Sequence, residues 1–175
     1  LLQESKHVSG SEILMQSKDS LINISAGTIH YSFNKKNGLL ENVLQDGKVI
    51  PLNHGPVLCD GKAEMHSFEA VNAKDSVVLT ATFSKQSDLS ALAWTVYPDG
   101  LLKMNVRYFP AQYDFDFAGV SFSFPEKMVK GIKWIGDGPY RVWKNRMQGV
   151  TLGAWNKAYN NTVTGQPPYQ YPEFK

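Results

Sequence analysis

The sequence predicts an all-β fold, an antiparallel β-sandwich. Three observations predict it. Apolar and polar residues alternate with a period of two over many short segments, as half-buried antiparallel strands require. Asn37-Gly38, Asp46-Gly47 and Asp99-Gly100 each separate two such segments, and these residue pairs tolerate the positive φ of a tight hairpin turn. No window of more than two turns carries the helical period.

Taken in order, strands are expected at 12–16, 20–25, 28–34, 39–45, 48–51, 63–71, 76–84, 91–97, 101–109, 117–124, 131–136 and 149–157. Ile29, Tyr31 and Phe33 alternate with His30, Ser32 and Asn34, and Val77, Leu79, Ala81 and Phe83 with Val78, Thr80 and Thr82. Leu92, Trp94 and Val96 lead through a turn into Leu102, Met104, Val106 and Tyr108, with Lys103, Asn105 and Arg107 between them. Val120, Phe122 and Phe124 alternate with serines. Many short strands joined by hairpins point to a sandwich or barrel.

The sandwich domain is expected over 19–158. Residues 1–18 read as a linker or frayed edge. Residues 159–175 read as a tail, because Gly165, Pro167, Pro168 and Pro172 bar a central strand. Tyr169, Tyr171 and Phe174 suit that tail to docking on a surface. The chain opens on Leu1 and is expected to be cut from a longer polypeptide that continues past Lys175.

Composition removes several classes of partner. The 175 residues include 18 Lys+Arg and 16 Asp+Glu, a net charge of +2, without the basic surplus of a nucleic-acid binder. With 42% hydrophobic and 12% aromatic residues the chain can build a core, so it is not a solvating segment. Its apolar runs fall far short of the ~20 residues of a membrane helix. The single cysteine, Cys59, excludes an internal disulfide and a multi-cysteine zinc site. Charge is unevenly spread. Lys127, Lys130, Lys133, Arg141, Lys144 and Arg146 accompany one acid, Asp137, whereas the first 126 residues hold ten basic and fourteen acidic groups. That cluster reads either as a solvated edge and loop or as a patch for an anionic or polar ligand.

No strong catalytic motif is present. Gly136-Asp137-Gly138-Pro139 lacks the spacing of a phosphate loop. His7, His30, His54 and His66 are scattered, so no metal site and no cofactor is expected. Cys59 follows Pro-Val-Leu and reads as a buried small hydrophobe. Asp114 and Asp116 would be neighbours on one extended stretch, whereas a glycosidase pair faces across the sugar at ~5–9 Å.

One stretch stands apart, from Lys133 to Arg146. Here a strand runs into two glycines and a proline, then into a segment dense in aromatics and multi-donor side chains. Aromatic faces stack on the C–H faces of sugars, and Arg and Asn make directional hydrogen bonds to hydroxyls. Gly138, Tyr140, Arg141, Trp143, Asn145 and Arg146 are therefore the candidate substrate-binding residues. The competing reading makes Trp134, Trp143 and Trp155 core residues and Arg146 a structural bridge.

Trp134-Ile-Gly-Asp-Gly-Pro-Tyr-Arg-Val-Trp-Lys-Asn-Arg146 resembles the Trp-x-Gly-x-Gly-Pro-x-Glu-Asn-Tyr-x-Asp-Arg signature of the carboxy-terminal, small-chain domain of glycoside hydrolase family 2 β-galactosidases. Ile29-His-Tyr-Ser-Phe-Asn-Lys-Lys-Asn-Gly-Leu-Leu40 resembles the strand–turn–strand that opens that domain, in matching order and spacing. The likeness runs from about Asp19 to Trp155. It implies a galactose mutarotase-like supersandwich, of which this chain is the first part, with sheet edges that would invite a second copy. It also implies a catalytic (β/α)₈ barrel elsewhere in the same polypeptide, carrying both catalytic glutamates. The present chain then carries no catalytic residue and lends its loop to the rim of the sugar pocket.

The departures from the signature carry charge. Arg141 stands in place of Glu, Val142 of Asn, Trp143 of Tyr and Asn145 of Asp, while Gly136, Gly138, Pro139 and Arg146 are kept. A rim changed this way points to a decorated or acidic glycan, and by analogy to an exported or periplasmic bacterial enzyme. The alternatives are a free-standing carbohydrate-binding module that stacks sugar on Tyr140, Trp143 and Trp155, a sandwich that serves only structure or interaction, and aldose mutarotase activity.

Overall fold

The computed structural model describes residues 12–108, 119–138 and 150–159. The chain divides into two compact units, Leu1–Phe124 and Pro125–Lys175.

The first unit is an antiparallel β-sandwich, as the alternation predicts. One sheet contains β1 (Ile13–Lys18), β2 (Leu21–Ala26), β3 (Ile29–Asn34), β4 (Leu40–Gln45), β5 (Lys48–Ile50), β6 (Asn53–Leu58) and β11 (Val120–Ser123). Its order is β1-β2-β3-β4-β6-β11, with β5 paired to β4. The other sheet contains β7 (Met65–Ala73), β8 (Ser76–Phe83), β9 (Leu89–Val96) and β10 (Leu102–Tyr108), in the order β10-β9-β8-β7.

The facing sides of the two sheets supply the core. Ile22, Ile24 and Ala26 of β2, Tyr31 and Phe33 of β3, Val77, Leu79 and Ala81 of β8, and Leu92, Trp94 and Val96 of β9 are all buried at every second position. The rings of Phe33 and Trp94 meet across the interface with centroids 5.4 Å apart. Two hydrogen bonds also cross it. The Trp94 indole N–H donates to the Gly38 carbonyl (3.2 Å), and the Tyr31 hydroxyl donates to the Gly100 carbonyl (2.7 Å). Both acceptors sit in predicted turns, where Gly38 has φ +71° and Gly100 φ +84°. A tight turn thus presents its carbonyl to the opposite sheet, and each large polar-tipped ring can be buried with its donor satisfied.

Two of the register shifts bring core residues out of strict alternation. Leu40 and Val43, three residues apart, are both buried because the β3–β4 register shifts at Ser32/Phe33. Leu89 and Leu92 are both buried because the β9–β10 register shifts at Arg107/Tyr108. In each case a bulge returns an apolar side chain to the core face.

The structure corrects the sequence reading at two places. Asn53–Leu58 is a strand, although His54, Gly55 and Pro56 suggest a break. It pairs with β11, and with β4 through Leu40 and Gly55; the Gly55–Pro56 peptide bond is cis. Cys59 is exposed rather than buried, because Val57 and Cys59 lie on the outward side of β6 and the residue that follows it.

In the second unit, a 3₁₀ turn (Glu126–Met128) precedes the hairpin β12 (Gly131–Gly138) and β13 (Thr151–Ala158). The Tyr159 hydroxyl donates to Glu126 Oε1 and its backbone N–H donates to the Lys130 carbonyl (2.9 Å), so the end of β13 is tied to the approach to β12.

Candidate functional site

Of the six residues chosen from the sequence, the described structure contains one, Gly138; Tyr140, Arg141, Trp143, Asn145 and Arg146 lie outside the described residues. The structure does show how the segment carrying them is anchored. Gly138, the last residue of β12, is paired in register with Thr151, the first of β13. The chain therefore leaves the hairpin after Gly138 and rejoins it at Thr151, two adjacent backbone positions.

The hairpin mouth is built around two tryptophans. Trp134 and Trp155 are directly opposed in the ladder, with ring centroids 6.5 Å apart. The Trp155 indole N–H donates to the Gly136 carbonyl (3.0 Å), and that of Trp134 donates to the Asp137 carbonyl (3.2 Å). Trp155 lies against backbone. A Cβ on Gly138 would stand 2.6 Å from its Nε1, and one on Gly153 would stand 3.1 Å from its Cζ2. Gly138 and Gly153 thus form a shallow seat for the indole, and Gly136, opposite Gly153 in the ladder, supplies the acceptor for its N–H. Of the two motif glycines, Gly138 therefore has a local physical reason: a side chain there would displace the ring.

This arrangement refines the competing sequence readings. Trp134 and Trp155 are partly buried in the hairpin rather than in the sandwich core, whose tryptophan is Trp94. Trp155, named as a stacking residue, has its indole N–H engaged with the chain's own backbone. The basic side chains Lys127, Lys130 and Lys133 are exposed, as a solvated edge would have them. Arg141, Lys144 and Arg146 of that cluster, like Asp114, Asp116 and His7, lie outside the described residues.

The other sequence candidates do not converge. His30, His54 and His66 are exposed on β3, β6 and β7, and His30 Nδ1 lies 2.7 Å from Ser25 Oγ. Among the described residues no cluster of His, Cys, Asp and Glu could hold a metal ion. No helix among them is long and apolar enough to cross a membrane.

The sequence did not point to a cavity of about 310 Å³ in the sandwich. Its walls include Met65, Phe83, Leu89 and Leu92, and Lys36 and Asn37 also line it. It contains none of the candidate residues. Only the three-dimensional meeting of the β3–β4 turn with β6, β7 and β9 reveals it.

The comparisons with known proteins fit this geometry. No curated protein matches the chain. The family model described as beta galactosidase small chain matches residues 25–173, a span that takes in both the opening strand–turn–strand and the tryptophan–glycine hairpin. The chain belongs to the β-galactosidase small-chain family.

Proposed function

We propose that this chain is a non-catalytic domain of a family 2 glycosidase and supplies residues 139–146 to the rim of a sugar pocket. The reactive carboxylates of that pocket belong to a barrel elsewhere in the same polypeptide. The observation that carries the reading is the anchoring of the loop. Family membership spans the motif, and the Trp155–glycine seat fixes the backbone at Gly138, the last residue before the segment rich in Arg and aromatics. Rigid strand ends are how a scaffold holds a binding loop in place.

Within this reading Tyr140 and Trp143 stack on sugar faces, Arg141, Asn145 and Arg146 bond hydroxyls or a carboxylate, and Gly138 sets the departure angle. The added positive charge suits a decorated or acidic glycan. Function in an exported or periplasmic bacterial enzyme accords with that substrate class.

The proposal is tested by assaying the isolated chain and the complete polypeptide with an aryl β-galactoside. The expected result is hydrolysis by the complete polypeptide and none by the isolated chain. Turnover by the isolated chain would contradict the assignment.

A further inference from the structure

We infer that the outward face of the four-stranded sheet is a contact surface for a second copy of this chain, packed face to face about a twofold axis parallel to the strands. The strand register defines that face row by row. Glu69, Thr80, Ala93 and Asn105 form one row, from β7 to β10. The neighbouring rows end on β10 in Lys103 and Arg107. One edge of the face therefore carries a carboxylate and the other two cations, and all three side chains are exposed.

The middle of the face is low. Thr80 and Ala93 at its centre have short side chains, so a second sheet can approach without displacing large groups. Charge then selects the arrangement. A twofold axis along the strands sets β10 of one copy over β7 of the other, and brings Glu69 opposite Asn105 of the partner subunit. Residues two apart on a strand are separated by roughly 6.7 Å. Glu69 thus falls between the two cations of the facing β10, within reach of both long side chains, and symmetry makes the contact twice. An axis perpendicular to the strands would instead set β10 over β10 and oppose like charges.

Three rows across four strands cover roughly 400 Å² per copy. A standard stable interface uses about 800 Å² per partner. The association is accordingly weak, with a dissociation constant on the order of 10⁻⁴ M, and it depends on salt.

Sedimentation equilibrium of the full 175-residue chain tests this, at concentrations up to about 1 mM in low salt and in about 0.5 M salt. Dimer is expected in low salt and should decline in high salt. Glu69→Lys alone, or Lys103→Glu with Arg107→Glu, should weaken dimerisation at least about tenfold. All three substitutions together should restore it to within about threefold, because the signs are then exchanged on both edges. Thr80→Trp should block it sterically. A chain that stays monomeric at about 1 mM in low salt would overturn the proposal. So would charge variants that dimerise like the wild type, or a triple variant that gains nothing over the single-edge variants.

Discussion

The indole of Trp155 lies against Gly138 so closely that a Cβ there would stand 2.6 Å from Nε1. The hydrogen bond from that N–H to the Gly136 carbonyl requires this approach. Gly138→Ala is expected to push the indole out of its seat and weaken the hairpin by about 1–3 kcal/mol, as overpacking does. Amide hydrogen exchange across Gly131–Gly138 and Thr151–Ala158 checks it. Unchanged protection would show that the seat does not anchor the strand ends.

Trp94 joins the two sheets of the sandwich by its ring and by its donor. The ring is fully buried, meets Phe33 and sets its edge against Phe122, with centroids 6.2 Å apart. Trp94→Phe keeps most of the packing but strands the Gly38 carbonyl, which should cost about 1–3 kcal/mol. Trp94→Ala should cost about 3–5 kcal/mol through the cavity it leaves. Urea unfolding measures both, and a Trp94→Phe change within about 0.5 kcal/mol would show that the Gly38 carbonyl finds another donor.

Tyr31 makes the sandwich sensitive to alkali. Burial, and then the charge of Asp99, raise its phenol above the ordinary tyrosine value. The neutral phenol is the form that donates to Gly100. Its contribution is therefore complete below the unfolded-state value near 10 and is lost as pH rises through the higher folded-state value. Tyr31→Phe should cost about 1 kcal/mol at neutral pH and flatten the decline in stability above pH ~10. Unfolding midpoints measured from pH 7 to about 11 check this; parallel curves for the two proteins would contradict it.

Gly55 and Phe122 are coupled across β6 and β11, since a Cβ on Gly55 would stand only 2.6 Å from Cγ of the Phe122 ring. Gly55→Ala should destabilise by about 1–3 kcal/mol in the wild type. The same change in a Phe122→Ala background should cost at least about 1 kcal/mol less, because the obstructing ring is gone. Equal costs in both backgrounds would place the strain elsewhere.

How far the fold could be read from the sequence follows from how local each signal is. The strands that alternate and the turns at Asn37-Gly38, Asp46-Gly47 and Asp99-Gly100 were legible because their information lies within a few residues, and Gly38, Gly47 and Gly100 all have positive φ. β6 was not legible. Its apolar pattern is interrupted by a glycine whose reason, the Phe122 ring, lies 67 residues away. The bulges that bury Val43 and Leu89 were equally hidden, because register belongs to a pair of strands and not to one. Cys59 was misjudged for the same reason: its Pro-Val-Leu context is apolar, but its side of the strand faces outward. At the candidate site the glycines of the motif stood out in the sequence. Their service to Trp155 did not, because it depends on the pairing of Gly136 with Gly153 and of Trp134 with Trp155.

The charge of the anchored loop bears most directly on the functional account. The deciding measurement is the ratio of kcat/KM for an acidic over a neutral β-galactoside in the complete polypeptide, with Arg141 and with Arg141→Glu. The account predicts that the ratio falls at least about tenfold in the variant, the worth of one charge-assisted contact, while the unfolding midpoint shifts by less than ~0.5 kcal/mol in equivalent stability. An unchanged ratio, or a large loss of stability with no change in preference, would contradict the placing of this loop at the pocket rim.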